Sequence, residues 1–257
     1  MECVFSTLAK YRYVTMHSVL LLDVGNSRIK WAYDSHNSWL HQGAVDVSDL
    51  AGLRMAFANL PEPQRILASN VAGTQAAAQI ETICAVWACP VEFITAQPEQ
   101  CGVRNCYVQP AELGSDRWAS LIAAWNMVQT ACLVVNCGTA TTVDALSNDG
   151  DFLGGLILPG IEMMRNGLTS LPARLDAANG KWSKLPRCTA DAIHSGAIQA
   201  TVGAIQSQYE FLESHDAPCI LSGGAANDIQ THLSLPLIHM DNLVLQGLKL
   251  IVLDTAT

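Results

Sequence analysis

The chain has 257 residues, of which 50% are hydrophobic and 14% are charged. This composition excludes a disordered protein and provides enough apolar residues for one large or two ordinary α/β domains. The formal net charge of -9 argues against a nucleic-acid or anionic-membrane binder, because such proteins depend on clustered Lys and Arg. No apolar run reaches the length of a bilayer span, so we expect a soluble protein with no membrane partner.

The first fifteen residues lack the apolar segment and the cleavage site of a signal peptide. We expect residues 1–15 to be a poorly ordered extension or to be foreign to the native protein, with Met16 as the native start. The nine cysteines lie mostly inside apolar runs. Their odd number and their placement favour free thiols in the cytoplasm over a disulfide framework.

The first half of the chain alternates between predicted strands and helices. An apolar strand at 18–24 turns at Gly25 and Asn26 and continues to Tyr33, which predicts a β-hairpin. The elements expected next are a strand at 65–71, a helix at 74–87 and a strand at 91–96. Such alternation is typical of a parallel or mixed sheet covered by helices.

A further helix is predicted over 114–128. Ser115 or Asp116 is expected at its N-terminus, because both residue types are preferred N-caps. Its buried face is expected to carry four apolar residues, Trp118, Leu121, Ile122 and Trp125.

The second half opens as the first does, with a strand, a glycine turn and a strand over 132–146. Asp23 aligns with Asn136 and Gly25 with Gly138, an offset of 113 positions that indicates an internal duplication. The alternative is that two common hairpins recur by chance. The elements expected after this hairpin are a helix from Ile161, a helix at 190–213, a strand at 218–223 and a helix at 241–253. We expect domain boundaries at 16–129 and 130–257.

Turns of glycine and hydroxyl residues at strand ends expose backbone N–H groups that can cradle a phosphate. Asp23, beside the first turn, has the chemistry to hold Mg²⁺, which favours one or two carboxylates plus phosphate oxygens. The alternative for Asp23 is a turn-forming aspartate that bonds to its own backbone. The chain has no Walker A sequence and no G-x-G-x-x-G, so the paired turns require another phosphate-binding architecture.

The paired hairpins resemble those of the acetate kinase, sugar kinase, Hsp70 and actin superfamily. The resemblance implies an α/β fold of two duplicated actin-like (ribonuclease H-like) domains, with mixed β-sheets flanked by helices and ATP bound by both turns. A third stretch fits this superfamily: SGGAAND at 222–228 follows a predicted strand, and the matching Gly-Gly turn of the superfamily lies against adenosine.

An ordered set of motifs resembles one family, the type III pantothenate kinases. The motifs are DVGNSRIKWA at 23–32, YVQPAELGSDRWA at 107–119, GTATTVD at 138–144 and GGLILPGIEMM at 154–164. With CTADAIHSG at 188–196 and DNLVLQGL at 241–248, the resemblance extends from about Ser18 to the end of the chain. It implies ATP-dependent phosphorylation of pantothenate to 4'-phosphopantothenate, the first step of coenzyme A biosynthesis, by a homodimer whose partner subunit completes part of the site.

The resemblance also implies residue roles. The ATP site would comprise Asp23, Val24, Gly25, Asn26, Ser27, Arg28, Ile29, Lys30 and Thr139, with Mg²⁺ near Asp23. The pantothenate site would comprise Tyr107, Gly114, Ser115, Asp116, Arg117 and Thr189, with Asp116 as the proton acceptor. Asn136 stands where the family normally has an aspartate that helps bind a monovalent cation, K⁺ or NH₄⁺. Because an amide keeps an oxygen ligand and lacks the charge, we expect weaker cation binding.

Several of these residues have alternative interpretations. The helix dipole and Arg117 are expected to lower the pKa of Asp116, which would make it a weak base. Asp116 or Ser115 could instead only cap a helix while Arg117 forms a surface ion pair, and Arg117 could also hold the pantothenate carboxylate. Tyr107 could be a core aromatic residue, and Thr189 could be an N-cap.

Two alternative functions also remain from the sequence. One is a different small-molecule kinase or phosphatase of the same superfamily. The other is a non-catalytic accessory factor for gene expression, because the family is related to the Bvg accessory factor proteins. The absence of a helix-turn-helix signal and the acidic charge argue against direct nucleic-acid binding.

Overall fold

The computed structural model describes residues 18–255, except residues 37, 170–179, 213 and 215. The expected extension at 1–15 and the expected start at Met16 lie outside the described residues. The strands are β1 (Val19–Val24), β2 (Arg28–Ser35), β3 (Ser38–Asp46), β4 (Arg65–Asn70), β5 (Val91–Phe93), β6 (Glu99–Gln100), β7 (Val103–Asn105), β8 (Cys132–Cys137), β9 (Ala140–Leu146), β10 (Asp151–Pro159), β11 (Cys219–Ser222) and β12 (Leu237–His239). The helices are α1 (Leu50–Phe57), α2 (Thr74–Cys84), α3 (Ser115–Val128), α4 (Ile161–Thr169), α5 (Thr189–Tyr209), α6 (Ala226–Gln230) and α7 (Leu243–Asp254).

The chain forms two compact units. Among the described residues, unit 1 takes those within 18–101, 111–123 and 244–255, whereas unit 2 takes those within 102–110 and 124–243. The units are therefore interleaved along the chain, while the sequence-based expectation placed a single boundary after residue 129. That boundary stays a prediction. Within the described residues, no helix combines the length and the apolar character needed to cross a membrane.

The two sheets repeat one strand order, which confirms the internal duplication. The first sheet is β3-β2-β1-β4-β5, and the second is β12-β11-β8-β9-β10-β7-β6. Strands β8 to β12 thus occupy the positions of β1 to β5, with the same directions: the hairpins pair antiparallel, and β1 with β4, like β8 with β11, pair parallel. Two additional strands, β7 and β6, extend the second sheet beyond β10.

Strand β1 and its counterpart β8 are each an apolar run with one polar interruption. In β1 every residue is buried except Asp23, and in β8 every residue is buried except Asn136. Central parallel-paired strands are covered on both faces, which favours such continuous apolar runs. Since partly burying a carboxylate or amide costs free energy unless it is compensated, these two positions stand out as functional candidates.

The same register surrounds both polar interruptions. Asp23 lies opposite Lys30 on β2 and beside Ser69 on β4. Asn136 lies opposite Thr142 on β9 and beside Ser222 on β11. The alignment of Asp23 with Asn136 that the sequence predicted is therefore an equivalence of position in the two sheets.

Candidate active site

The first glycine turn connects β1 to β2 in unit 1. The Gly25 amide donates to the Arg28 carbonyl at 3.0 Å, and the Ser27 carbonyl accepts from the Val47 amide at 3.0 Å. The intervening side chains, including Asn26, are exposed. A short turn held at both ends, with an open outer surface, has the form of a phosphate-binding loop.

Asp23 carries the most perturbed carboxyl group at this turn. Burial raises its pKa from 3.8 to about 7, the charge of Lys30 opposes this increase, and the charge of Asp116 adds to it. The two residues are 93 positions apart in sequence, but Ser115, which precedes Asp116, bonds to Ser69, and Ser69 pairs with Asp23 in the register of β4 with β1. Lys30 acts on Asp23 and Arg117 acts on Asp116, yet burial is the largest effect on the pKa of both carboxyl groups. Such perturbed carboxyl groups are typical of functional sites.

Asp116 lies in the first turn of α3, which begins at Ser115. Its Oδ1 accepts a hydrogen bond from the Arg117 amide at 2.8 Å. Gly114 permits this arrangement, because a Cβ atom at that position would lie 2.8 Å from the same Oδ1 atom. The glycine of the GSDR motif thus leaves room for the carboxylate to fold back over the helix start.

The expected direction of the Asp116 pKa is wrong. Burial raises this pKa above its usual value, although the backbone amide and the positive charge of Arg117 act in the opposite direction. The sequence argument considered the helix dipole and the adjacent cation but could not assess desolvation, which is the largest effect. A carboxylate with a raised pKa is a better proton acceptor than the sequence indicated.

The part of the alternative that placed Arg117 in a surface ion pair is wrong. The Ser115 hydroxyl lies 2.9 Å from the Ser69 hydroxyl and accepts from the Asn70 amide at 3.2 Å, so it binds the end of β4. Arg117 is 5% exposed and therefore is not a surface residue. Both side chains belong to the packed interior around Asp116.

The second glycine turn connects β8 to β9 in unit 2. The Gly138 amide donates to the Ala140 carbonyl at 3.0 Å, and Thr139 is exposed at the tip. Three residues separate the paired positions Cys137 and Thr141, against four between Val24 and Ile29 in the first turn. The second turn is thus shorter by one residue and places a threonine at its tip.

Two further glycines pack against this second turn. The Gly160 amide donates to the Thr139 carbonyl at 2.9 Å, and a Cβ atom on Gly160 would clash with the backbone of 138–139. Gly223, with φ of +99°, lies against the Cys137 backbone in the same way. The GGLILPG and SGGAAND motifs therefore meet the GTATTVD turn at the end of β8, where unit 2 presents three backbone turns together.

Tyr107 and Thr189 belong to unit 2. The half-buried Tyr107 ring packs on Phe152 with its centroid 5.1 Å away, which is compatible with both of its predicted roles. Thr189 is the first residue of α5, whereas the N-cap is Cys188, so the prediction of Thr189 as an N-cap is wrong. Thr189 is exposed and lines a cavity of about 920 Å³ with Met164, Leu168, Pro186, Arg187, Cys188, Ala192, Ile193, Gly196 and Ala197.

Comparison with known proteins identifies the family. The sequence model of the type III pantothenate kinases matches residues 19–210. A type III pantothenate kinase of Nitrosospira multiformis is 45% identical over 241 residues, which cover 93% of this chain and 92% of that enzyme. This chain belongs to the type III pantothenate kinase family. A second family member, from Aromatoleum aromaticum, is 44% identical over 239 residues and is covered over 99% of its length.

Solved structures support the fold of this family member. A proposed Baf family transcriptional activator from Campylobacter jejuni aligns with a TM-score of 0.62 at 22% identity, covering 91% of this chain and 96% of the other. A proposed 2-dehydro-3-deoxygalactonokinase from Sinorhizobium meliloti aligns with a TM-score of 0.56 at 14% identity, covering 90% and 97%. The predicted α/β class, with two duplicated actin-like sheets flanked by helices, is confirmed.

Proposed function

We propose that this chain phosphorylates pantothenate with ATP to give 4'-phosphopantothenate, in the synthesis of coenzyme A. Membership of the type III pantothenate kinase family supports this activity. The structural observation that supports the proposal is that Ser115, next to Asp116, bonds to Ser69, which pairs with Asp23 beside the first glycine turn.

Asp116 is proposed to orient the primary hydroxyl of pantothenate and to receive its proton. Phosphoryl transfer passes through a loose transition state in which positioning contributes more than strong base catalysis. The Arg117 amide bond to Oδ1 restricts the carboxylate to one orientation. Burial raises the pKa of Asp116, which improves its capacity to accept a proton.

The first turn, Asp23 to Lys30, is proposed to bind the ATP phosphates, with Thr139 contributing from the second turn. When bound, Mg²⁺ would neutralise developing charge on the phosphates. Within the described residues no group of three or more His, Cys, Asp or Glu side chains is arranged to hold a metal. Asp23 alone or with Asp116 nevertheless fits Mg²⁺, since this ion takes one or two carboxylates and fills its other positions with phosphate oxygens and water.

Pantothenate is proposed to contact Tyr107, Thr189 and the segment from Gly114 to Arg117. Its carboxylate is suited to a guanidinium, which binds such groups with two parallel hydrogen bonds. We further propose a cytoplasmic homodimer, in which a second copy contributes to this site.

A coupled assay of ATP consumption tests the activity. We expect turnover with pantothenate and Mg²⁺, and at least about a hundredfold lower kcat/KM with a panel of hexoses, since a site shaped for one acceptor discriminates against others. Preferential turnover of a sugar would assign the chain to another kinase class. Absence of any turnover by the folded protein would favour the accessory-factor function.

Asn136 leads to a prediction about monovalent cations. We expect the wild-type chain to respond weakly to K⁺ or NH₄⁺, whereas Asn136→Asp gains activation at roughly tenfold lower K⁺, because a carboxylate adds charge to the ligand set. The measurement is initial rate against K⁺ concentration at constant ionic strength. Asn148→Asp, an equal change of charge on a turn in unit 2, is the control. Strong saturable activation of the wild type by low K⁺ would contradict the prediction.

A further inference from the structure

Ser69 lies at the end of β4, in contact with the turn that carries Asp116. It is fully buried, with 0% of its surface exposed, and its hydroxyl lies 2.9 Å from the Ser115 hydroxyl. The next amide along the strand, that of Asn70, donates to the same Ser115 oxygen at 3.2 Å. The Ser69 hydroxyl and the Asn70 amide of β4 therefore both bond to the Ser115 side chain at the start of α3.

The same end of β4 is connected to the first phosphate turn. Ser69 lies beside Asp23 in the parallel register of β4 with β1. The Val71 amide, two residues further along, donates to the Val24 carbonyl at 3.0 Å. The end of β4 thus contacts both the segment that carries Asp23 and the segment that carries Asp116.

The loop after β4 is held by its own side chain. Asn70 Nδ2 donates to the Gly73 carbonyl at 2.9 Å, and Asn70 Oδ1 accepts from the Ala72 amide at 3.0 Å. Both bonds hold the loop in one conformation. The end of β4, to which Ser115 binds, therefore has one conformation. The bond to it fixes the position of Ser115 and of the adjacent Asp116.

We propose that Ser69 is a positioning residue for phosphoryl transfer, whose hydroxyl bond to Ser115 holds the first turn of α3, and with it the Asp116 carboxylate, against the end of β4 next to Asp23. This role rests on the function proposed above for Asp116. No ligand contact by Ser69 is required. Its effect is transmitted through Ser115 to the neighbouring carboxylate.

Steady-state kinetics of Ser69→Ala test the proposal. We expect kcat to fall about tenfold, because a small displacement of a reacting group is costly, while the KM for ATP stays within about twofold since the first turn itself is intact. Ser115→Ala should lower kcat at least as much, because it also removes the acceptor of the Asn70 amide. The double variant should be no worse than Ser115→Ala, because the bond between the two hydroxyl groups is already absent from each single variant.

The matched control is Thr201→Val, which removes another fully buried hydroxyl, bonded to the Ala197 carbonyl at 3.0 Å within α5. It should lower the melting temperature and leave kcat unchanged. Unchanged kcat in folded Ser69→Ala would overturn the proposal. A double variant whose losses multiply would also overturn it.

Hydrogen exchange separates this proposal from the proposed function. In Ser69→Ala, amides of residues 115–119 should exchange about fivefold faster or more, because a loosened turn opens more often, while those of β8 and β9 are unchanged. If the wild type does not phosphorylate pantothenate but Ser69→Ala still exchanges faster than the wild type at 115–119, the proposed function is wrong and the structural role of the bond stands. Unchanged exchange in this segment would exclude the positioning role whatever the substrate.

Discussion

Asp116→Asn is expected to lower kcat for pantothenate about a hundredfold or more, which is the usual range for loss of a general base. The amide keeps the size and the polar contacts of the side chain, but it cannot accept the hydroxyl proton. ATP binding should be nearly unchanged, since the proposed phosphate contacts lie in the glycine turns. The measurements are kcat from the coupled assay and ATP affinity from calorimetry.

Glu112→Gln is the matched control for this variant. Glu112 is an exposed carboxylate in the short 3₁₀ turn Pro110–Glu112, four residues before Asp116. The same change of charge at this position should leave kcat within about twofold, since isolated surface substitutions are usually near neutral. Near-normal turnover of Asp116→Asn would refute the assignment of Asp116 as proton acceptor.

Asp23→Asn is expected to stabilise the ligand-free protein at pH 8 while abolishing most activity. The folded-state pKa of Asp23 is about 7, above the value of 3.8 for an unperturbed group. Between these two values the folded state binds more protons than the unfolded state, so the contribution of Asp23 to stability falls as pH rises. Above pH 7 the ionised Asp23 lowers the free energy of unfolding by its full amount, about 2–4 kcal/mol. Replacing the carboxylate by an amide removes this destabilisation.

Thermal unfolding measured against pH checks this sign. Asp23→Asn should melt about 5–15 °C above the wild type at pH 8, and close to the wild type at pH 5, where both side chains are uncharged in the folded state. Addition of ATP and Mg²⁺ should reverse the order, because a bound cation favours the ionised carboxylate and stabilises only the wild type. If the variant is less stable than the wild type at pH 8 without ligand, the charge of Asp23 does not destabilise the folded protein.

The sequence predictions that agree best with the structure concern segments whose local pattern is compatible with only one secondary structure. The apolar run of β1, its glycine turn and β2 form the predicted hairpin, and β8 and β9 repeat it. The predicted helix over 114–128 is observed as α3, although Trp125 is partly exposed rather than buried. These predictions succeed because hydrophobic periodicity and turn chemistry act over a few residues.

Most elements that the sequence did not predict are short or lie at an edge, but β10, a nine-residue strand between β9 and β7, was also missed. β3, a nine-residue strand, has an almost entirely exposed or half-buried sequence without apolar alternation. α1 follows it and was also missed, as were the short elements β6, β7, α6 and β12. Edge strands and very short elements are formed by tertiary hydrogen bonding rather than by local preference, so their sequences carry little signal.

The sequence by itself determined the family motifs, the duplication that aligns Asp23 with Asn136, and the residue types available for phosphate and carboxylate chemistry. Only the tertiary structure decided that Ser69 pairs with Asp23 and bonds to Ser115, and that burial outweighs the opposing effect of Arg117 and raises the pKa of Asp116. The physical reason is that desolvation and hydrogen bonding between distant segments depend on what surrounds a side chain in space. Local spacing fixes which groups are present, whereas the parallel pairing of β4 with β1 and the packing of α3 fix which of them meet.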